Sequence, residues 1–148
     1  MDAVCFDMDG VLVDSEDFWV PRETAELFPR LLPDDDVAVE EITGLNYRDI
    51  YDYLADSYEV AMDKEVFLEW YDTTAREIYR EEVSLLDGFP ALRETLRDRG
   101  VAVALVSSSP PHWIDLVVDR FGLGFDRVVS AETLEGPGKP EPHVYRHA

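Results

Sequence analysis

Residues 90 to 130 restrict the fold more than any other stretch of this chain. Pro90 to Arg99 reads as a short helix stopped by Gly100, and Val101 to Val106 as a continuous apolar strand. Pro111 to Phe121 reads as a helix opened by proline and closed by Gly122, and Arg127 to Ser130 as a further strand. Two apolar runs separated by a helix cannot form a hairpin. They make a strand–helix–strand crossover, hence a parallel sheet, and ligands of such sheets bind beyond the C-terminal strand ends.

Ala3 to Phe6 is a third short apolar run and joins the same sheet by the same logic. It is expected to be fully buried, with the single cysteine, Cys5, packed inside it as a small hydrophobe. From about Glu16 to Val83 the pattern holds no strand. Phe18, Trp19, Ala25 and Leu27 mark one helix, and Ile50, Leu54 and Tyr58 another. The clearest runs from Lys64 to Arg80, with Asp63 as its N-cap and Phe67, Trp70, Tyr71, Thr74 and Ile78 on one face. Residues 16–83 therefore read as a helical insertion, with its aromatic side chains as its own core, between two parts, 1–15 and 84–148, of one α/β core.

The chain carries 33 acids against 13 bases, a net charge of −20, and its lysines are Lys64 and Lys139 alone. Such a chain repels nucleic acid and anionic membrane, so neither is expected as a partner. Acids spread along the chain with scarce lysine resemble the composition of halophilic proteins, which predicts stability that rises with molar KCl. No apolar run is long enough to span a membrane and no signal peptide is visible, so a cytoplasmic setting is expected.

The residues able to do chemistry gather at the predicted strand ends. Asp7 and Asp9 follow the first strand at i and i+2 spacing and so leave it on one side, where paired carboxylates need a cation or a shared proton. Such a pair suits one carboxylate that attacks phosphorus and one that passes a proton to the leaving oxygen. Gly10 permits a tight turn or a close backbone approach to a ligand. Ser107, with Ser108 and Ser109 after it, follows the apolar strand at the ligand-binding edge, just before a helix N-terminus. Lys139, in Gly136-Pro137-Gly138-Lys139-Pro140, puts an ammonium in a stiff frame. Each has a plainer reading: a solvated acidic turn, a capping cluster, a loop lysine.

Taken together, Asp7-x-Asp9-Gly10-x-Leu12-x-Asp14-Ser15-Glu16, Val106-Ser107-Ser108-Ser109 and Gly138-Lys139-Pro140-x-Pro142 resemble the first three motifs of the haloacid dehalogenase superfamily. The insertion is similar to the helical cap of the branch that holds phosphoglycolate phosphatase, sugar-phosphate phosphatases and β-phosphoglucomutase. The resemblance implies a Rossmann-like parallel sheet with an inserted all-helical cap, and Mg2+-dependent hydrolysis of a small phosphate monoester. Asp7 would then be the nucleophile that forms an aspartyl-phosphate, and a Mg2+ ligand. Asp9 would be the acid and base and bind Mg2+ through its carbonyl. Ser107 and the Ser108 N–H would hold phosphoryl oxygens, and Lys139 would neutralise charge on the transferring group. Acid at position 9 argues for a phosphate ester over a halide.

The family's fourth motif, an acidic loop after another strand, has no counterpart between Pro140 and Ala148, where His143 reads as a helix-start residue. An open sheet edge beside the first strand and weak Mg2+ binding are expected, with a second copy or a further C-terminal segment completing the sheet. Three readings stay open: a truncated phosphatase, an enzyme completed by dimerisation, and a non-catalytic phosphate-binding protein. Phosphatase against mutase turns on the cap, where Arg48, in Gly44-Leu45-Asn46-Tyr47-Arg48, is a candidate receiver of a second anionic group.

Overall fold

The computed structural model describes residues 2–136, 139 and 141–148. Three strands, β1 (Ala3–Phe6), β2 (Ala102–Ser107) and β3 (Arg127–Ser130), lie in the order β1-β2-β3. Both pairings are parallel, with Phe6 beside Leu105 and Ser107 beside Ser130. Among the described residues eight α-helices accompany them: α1 (Glu16–Arg22), α2 (Phe28–Leu31), α3 (Val39–Ile42), α4 (Tyr47–Ser57), α5 (Lys64–Glu77), α6 (Phe89–Asp98), α7 (Pro111–Phe121) and α8 (Pro142–His147). The first six stand between β1 and β2 and five of these fall within residues 16–83, so the insertion is wholly helical, as its periodicity predicts.

Local chemistry sets the boundaries. α7 begins at a proline, which needs no N–H there, and ends at Gly122 in the left-handed region at φ +59°. β2 starts one residue later than predicted and takes in Ser107, whose backbone reaches β3. The helix predicted from Lys64 to Arg80 is α-helical only to Glu77 and continues as a π-helical turn, Ile78–Glu82. A second π-helical turn, Glu23–Leu27, follows α1, which contains Pro21. Asp63 stands at the N-cap of α5 in extended conformation, but its side chain makes no capping bond.

One core joins insertion and sheet. Leu27, Leu31, Leu54, Phe67 and Ile78 are sealed together with Leu105, Ile114 and Val117. Alternate strand residues face opposite ways, so Val106, next to Leu105, belongs to a separate small cluster with Val129 and Val144. On that second face α8 supplies the covering Val144.

This two-faced arrangement overturns the expectation of a fully buried first strand. Ala3 and Cys5 are exposed, while Val4 and Phe6 are half-buried. Register explains it: Phe6 shares the face of Leu105 and packs edge-on against Phe89 at 5.2 Å, whereas Cys5 shares the thinly covered face of Ala104. β1 also pairs on one side only among the described residues. An apolar run reports composition, not how many neighbours a strand has.

The two connections between sheet and insertion run side by side. Leu86 donates its N–H to the Leu12 carbonyl at 2.9 Å, and the Ser84 N–H donates to Asp14 Oδ1 at 2.6 Å. The insertion is thereby held over the C-terminal end of β1.

Candidate active site

The chain leaves β1 through a tight turn in which the Met8 carbonyl accepts the N–H groups of Leu12 at 2.8 Å and Val13 at 3.1 Å. Met8 is fully buried, which sends Asp7 and Asp9 to the opposite side and into one cavity. Gly10 sits at φ +71°, a backbone conformation that favours glycine, with the mobile end of the Glu16 side chain 3.1 Å from where a Cβ would lie.

The two aspartates have different surroundings. Lys139 Nζ lies 2.7 Å from Asp7 Oδ1 and also donates to the Val106 carbonyl at 2.5 Å, which pins the ammonium between sheet and loop. The Met8 N–H donates to the same Asp7 oxygen at 2.7 Å. Asp9 is ringed by hydroxyls instead: Ser15 Oγ and Tyr79 Oη each donate to its Oδ1 at 2.7 Å, and Ser109 Oγ donates to its Oδ2 at 2.8 Å. Tyr79 in turn accepts the Trp19 indole N–H at 3.1 Å. Burial, and then the Asp9 carboxylate beside it, push the Tyr79 phenol well above its usual range, so it remains a protonated donor.

Asp7, Asp9 and Lys139, singled out in the sequence, are thus brought together. Ser108 and Ser109 line the cavity with Asp7 and Asp9, whereas Ser107 is fully buried and its Oγ accepts the Ser109 N–H at 3.0 Å. Ser107 shapes the turn, and the exposed oxygen of the trio belongs to its neighbours. Gly44, Leu45, Asn46 and Tyr47 also line the cavity, and Asn46 Nδ2 reaches the Ser108 carbonyl at 3.5 Å. Arg48 lies elsewhere: its Nε pairs with Glu132 Oε1 at 2.7 Å and its guanidinium lies over the Tyr47 ring.

The donor set can be weighed against Mg2+. Asp7 Oδ2 meets no protein donor among the described residues, and no three acidic, histidine or cysteine side chains converge there. That set fits a magnesium ion held by Asp7, an Asp9 oxygen and a substrate phosphate with waters, the manner in which Mg2+ is ordinarily carried, rather than a closed protein cage.

The cavity, about 350 Å³, is walled largely by aromatic residues of the insertion, expected from the sequence to form the insertion's own core, together with Trp113 of α7. Trp19, Tyr47, Tyr71, Tyr79 and Trp113 line it, and Glu23 stands among them only 8% exposed. Tyr71 donates to Glu23 Oε1 at 2.6 Å. Trp19 and Glu23 are separated by four residues, so an acid on the apolar face of a helix was the signal available in the sequence. Burial raises the Glu23 carboxyl above its ordinary range, against the lowering effect of the Tyr71 hydrogen bond. A carboxyl raised on folding favours the fold most below the ordinary glutamate range, and that contribution is lost as pH rises toward the raised value. Glu23→Gln is therefore expected to melt a few degrees higher than the parent at neutral pH, with the gap closing as pH falls into the carboxylate range. Equal melting curves at both pH values would contradict it.

Comparison with known proteins places this geometry. A model of the family described as haloacid dehalogenase-like hydrolase matches residues 1–148. Hexitol phosphatase B of Escherichia coli K12 is 32% identical over 97% of this chain and 66% of its own length. The phosphorylated carbohydrates phosphatase of Thermotoga maritima is 29% identical over 98% of this chain and 68% of its own. The chain thus spans about two thirds of the curated relatives it matches. Among solved structures, a HAD family hydrolase from Deinococcus radiodurans R1 with bound phosphate and sodium is 27% identical and superposes with a TM-score of 0.63, covering 99% of this chain and 65% of that one. CbbY from Rhodobacter sphaeroides in complex with phosphate, 18% identical, shares the fold at a TM-score of 0.75, over all of this chain and 71% of that one. With the acidic turn and the serine turn lining one cavity and Lys139 held against Asp7, the chain belongs to the haloacid dehalogenase-like hydrolases.

Proposed function

We propose that this chain carries the catalytic site of a Mg2+-dependent phosphatase acting on a small phosphate monoester of the sugar phosphate, phosphoglycolate or glycerol phosphate class. The observation that carries the reading is the contrast between the two aspartates: Asp7 is open to the cavity beside Lys139, while Asp9 sits in a ring of hydroxyls. Asp7 attacks phosphorus, the bond from phosphorus to the leaving oxygen breaks, and Asp9 supplies the proton that makes the leaving group an alcohol. Water then attacks the aspartyl-phosphate, Asp9 takes its proton, and phosphate departs with Asp7 restored. Lys139 balances the charge gathered on Asp7 and the phosphoryl oxygens, the electrostatic share of phosphoryl transfer. Bound Mg2+ supplies charge neutralisation at the same oxygens.

Three hydroxyl donors suit the ionised Asp9, which is the base of the second half-reaction. Proton delivery in the first half needs one of those hydroxyls to turn. Ser15 and Ser109 are free of the second bond that ties Tyr79 to Trp19. Phosphate release from a panel of monoesters, present with Mg2+ and absent with a chelator, tests the reading; phosphate binding without turnover would favour the non-catalytic alternative. A mutase must rebind a substrate that carries a second phosphate, and Arg48, turned to Glu132, does not face the cavity.

The open edge of β1 fits a strand from a second copy or from a further chain segment bringing an additional acidic loop. Full activity from a 16.9 kDa monomer in sedimentation would remove the need for either. The charge of −20 supports a high-salt setting. Among the described residues no helix is long and apolar enough to cross a membrane. The melting temperature is expected to rise by several degrees from about 0.1 M to about 1 M KCl, as the screening length falls from about 10 Å to about 3 Å. A flat response would dismiss the halophilic reading.

A further inference from the structure

The cavity above the two aspartates has an unusual charge pattern for a site that binds anions. Asp7, Asp9, Glu16 and Glu23 line it, and no lysine, arginine or histidine among the described residues does. Lys139 touches Asp7 at the floor, where the phosphoryl group would sit. The remainder, where the leaving group must lie, is acidic and aromatic. A leaving group that carries a carboxylate or a second phosphate would meet Glu16 and Glu23 with nothing to offset its charge.

Glu23 is the informative residue. Glutamate is seldom buried without a partner of opposite charge, and none is present: the neighbouring Arg22 is spent on Glu77 and Glu82. Tyr71 satisfies Oε1 alone. Among the described residues Oε2 meets no protein donor, yet no buried side-chain polar atom lacks a partner, so Oε2 opens to the cavity. The fold holds this acid where burial disfavours its charged form, an arrangement that stability alone does not explain. It lies in the π-helical turn after α1, a backbone irregularity of the kind that re-aims side chains at functional sites.

We propose that Glu23 is the specificity-determining residue for the leaving group, its free Oε2 accepting a hydrogen bond from a hydroxyl of a neutral, polyhydroxylated phosphate monoester, and that the cavity rejects esters with an anionic tail. This rests on the phosphatase reading and narrows it, removing the phosphoglycolate class and keeping sugar, polyol and glycerol phosphates. An ammonium could also donate to Glu23, but the aromatic walls do not form an open cage for one. Trp19 stacks on Tyr71 at 5.4 Å and on Trp113 at 5.6 Å, so these faces are spent on each other. The walls are also stiff, since the indole N–H groups of Trp19 and Trp113 are held by Tyr79 and Asp72.

The test compares four esters with parent, Glu23→Leu and Glu23→Gln: a hexitol 6-phosphate, ethyl phosphate, phosphoethanolamine and phosphoglycolate. Both kcat/KM for phosphate release and binding, read by tryptophan fluorescence in an Asp7→Asn background, are measured. The parent is expected to favour the hexitol phosphate over ethyl phosphate by about 10- to 100-fold, the span of one hydrogen bond to a charged group, and to place phosphoglycolate last. In Glu23→Leu that hexitol-to-ethyl ratio is expected to collapse toward unity, and in Glu23→Gln to fall part of the way. A ratio unchanged in both variants, with melts that show them folded, overturns the proposal. So does a preference for phosphoglycolate or for phosphoethanolamine in the parent. If no ester is hydrolysed, the phosphatase reading fails, and the same ratios read from binding still decide the role of Glu23.

Discussion

Asp7→Asn is expected to slow phosphate release by on the order of 10⁴-fold or more, the scale on which an enzyme loses its covalent nucleophile. Asparagine fills the same space but cannot form an acyl phosphate. The fold should barely register the change, because Asp7 is 43% exposed on its side chain and its pair with Lys139 is the kind of half-solvated contact worth at most about 1 kcal/mol. Lys139 keeps its bond to the Val106 carbonyl when Asp7 loses its charge. Phosphate should also bind the variant more tightly, since one of the two carboxylates facing it is gone. Turnover within tenfold of the parent, at matched melting temperature, would show that Asp7 is not the nucleophile.

Phe67→Ala carries the largest expected cost to the fold. Phe67 is fully buried where the insertion's helices meet, with Tyr51 at 5.2 Å and Tyr71 at 5.0 Å. Emptying such a site costs about 3–5 kcal/mol, a large part of the roughly 5–15 kcal/mol by which domains are stable. A fall in melting temperature on the order of 10 °C follows for a chain of this length. Tyr71 holds Glu23 and stacks on Trp19, so the damage should spread to the cavity wall. A melting temperature within about 2 °C of the parent would mean that the insertion is not packed as described.

The parts of this molecule legible in its sequence are those where one local rule acts alone. The limits of α7 follow from an apolar run bounded by proline and glycine, those of β3 from the short apolar stretch after that helix, and the parallel pairing from the crossover between β2 and β3. Asp7, Asp9 and Lys139 carry their chemistry in their identity and in their position after strands. What depends on facing was less readable. Cys5 looked buried because its neighbours are apolar, yet register puts it on the face that α8 covers only in part. Ser107 and Ser109 are alike in sequence, and only the turn decides that Ser109 reaches Asp9 while Ser107 is sealed. Tyr79 arrives at Asp9 from 70 residues away, a contact no spacing rule contains. Arg48 was promising by composition, but a glutamate from beyond β3 captures it.

The lone thiol of Cys5 lies on the outer side of an edge strand, on the opposite face from the core that backs the catalytic turn. A spectroscopic label attached there would watch that edge without entering the cavity. Loss of its reactivity would report the arrival of a new strand, and mixed-disulfide formation between two copies would trap an edge-to-edge pair. One residue therefore makes the assembly of this sheet chemically observable, independently of whether any ester is turned over.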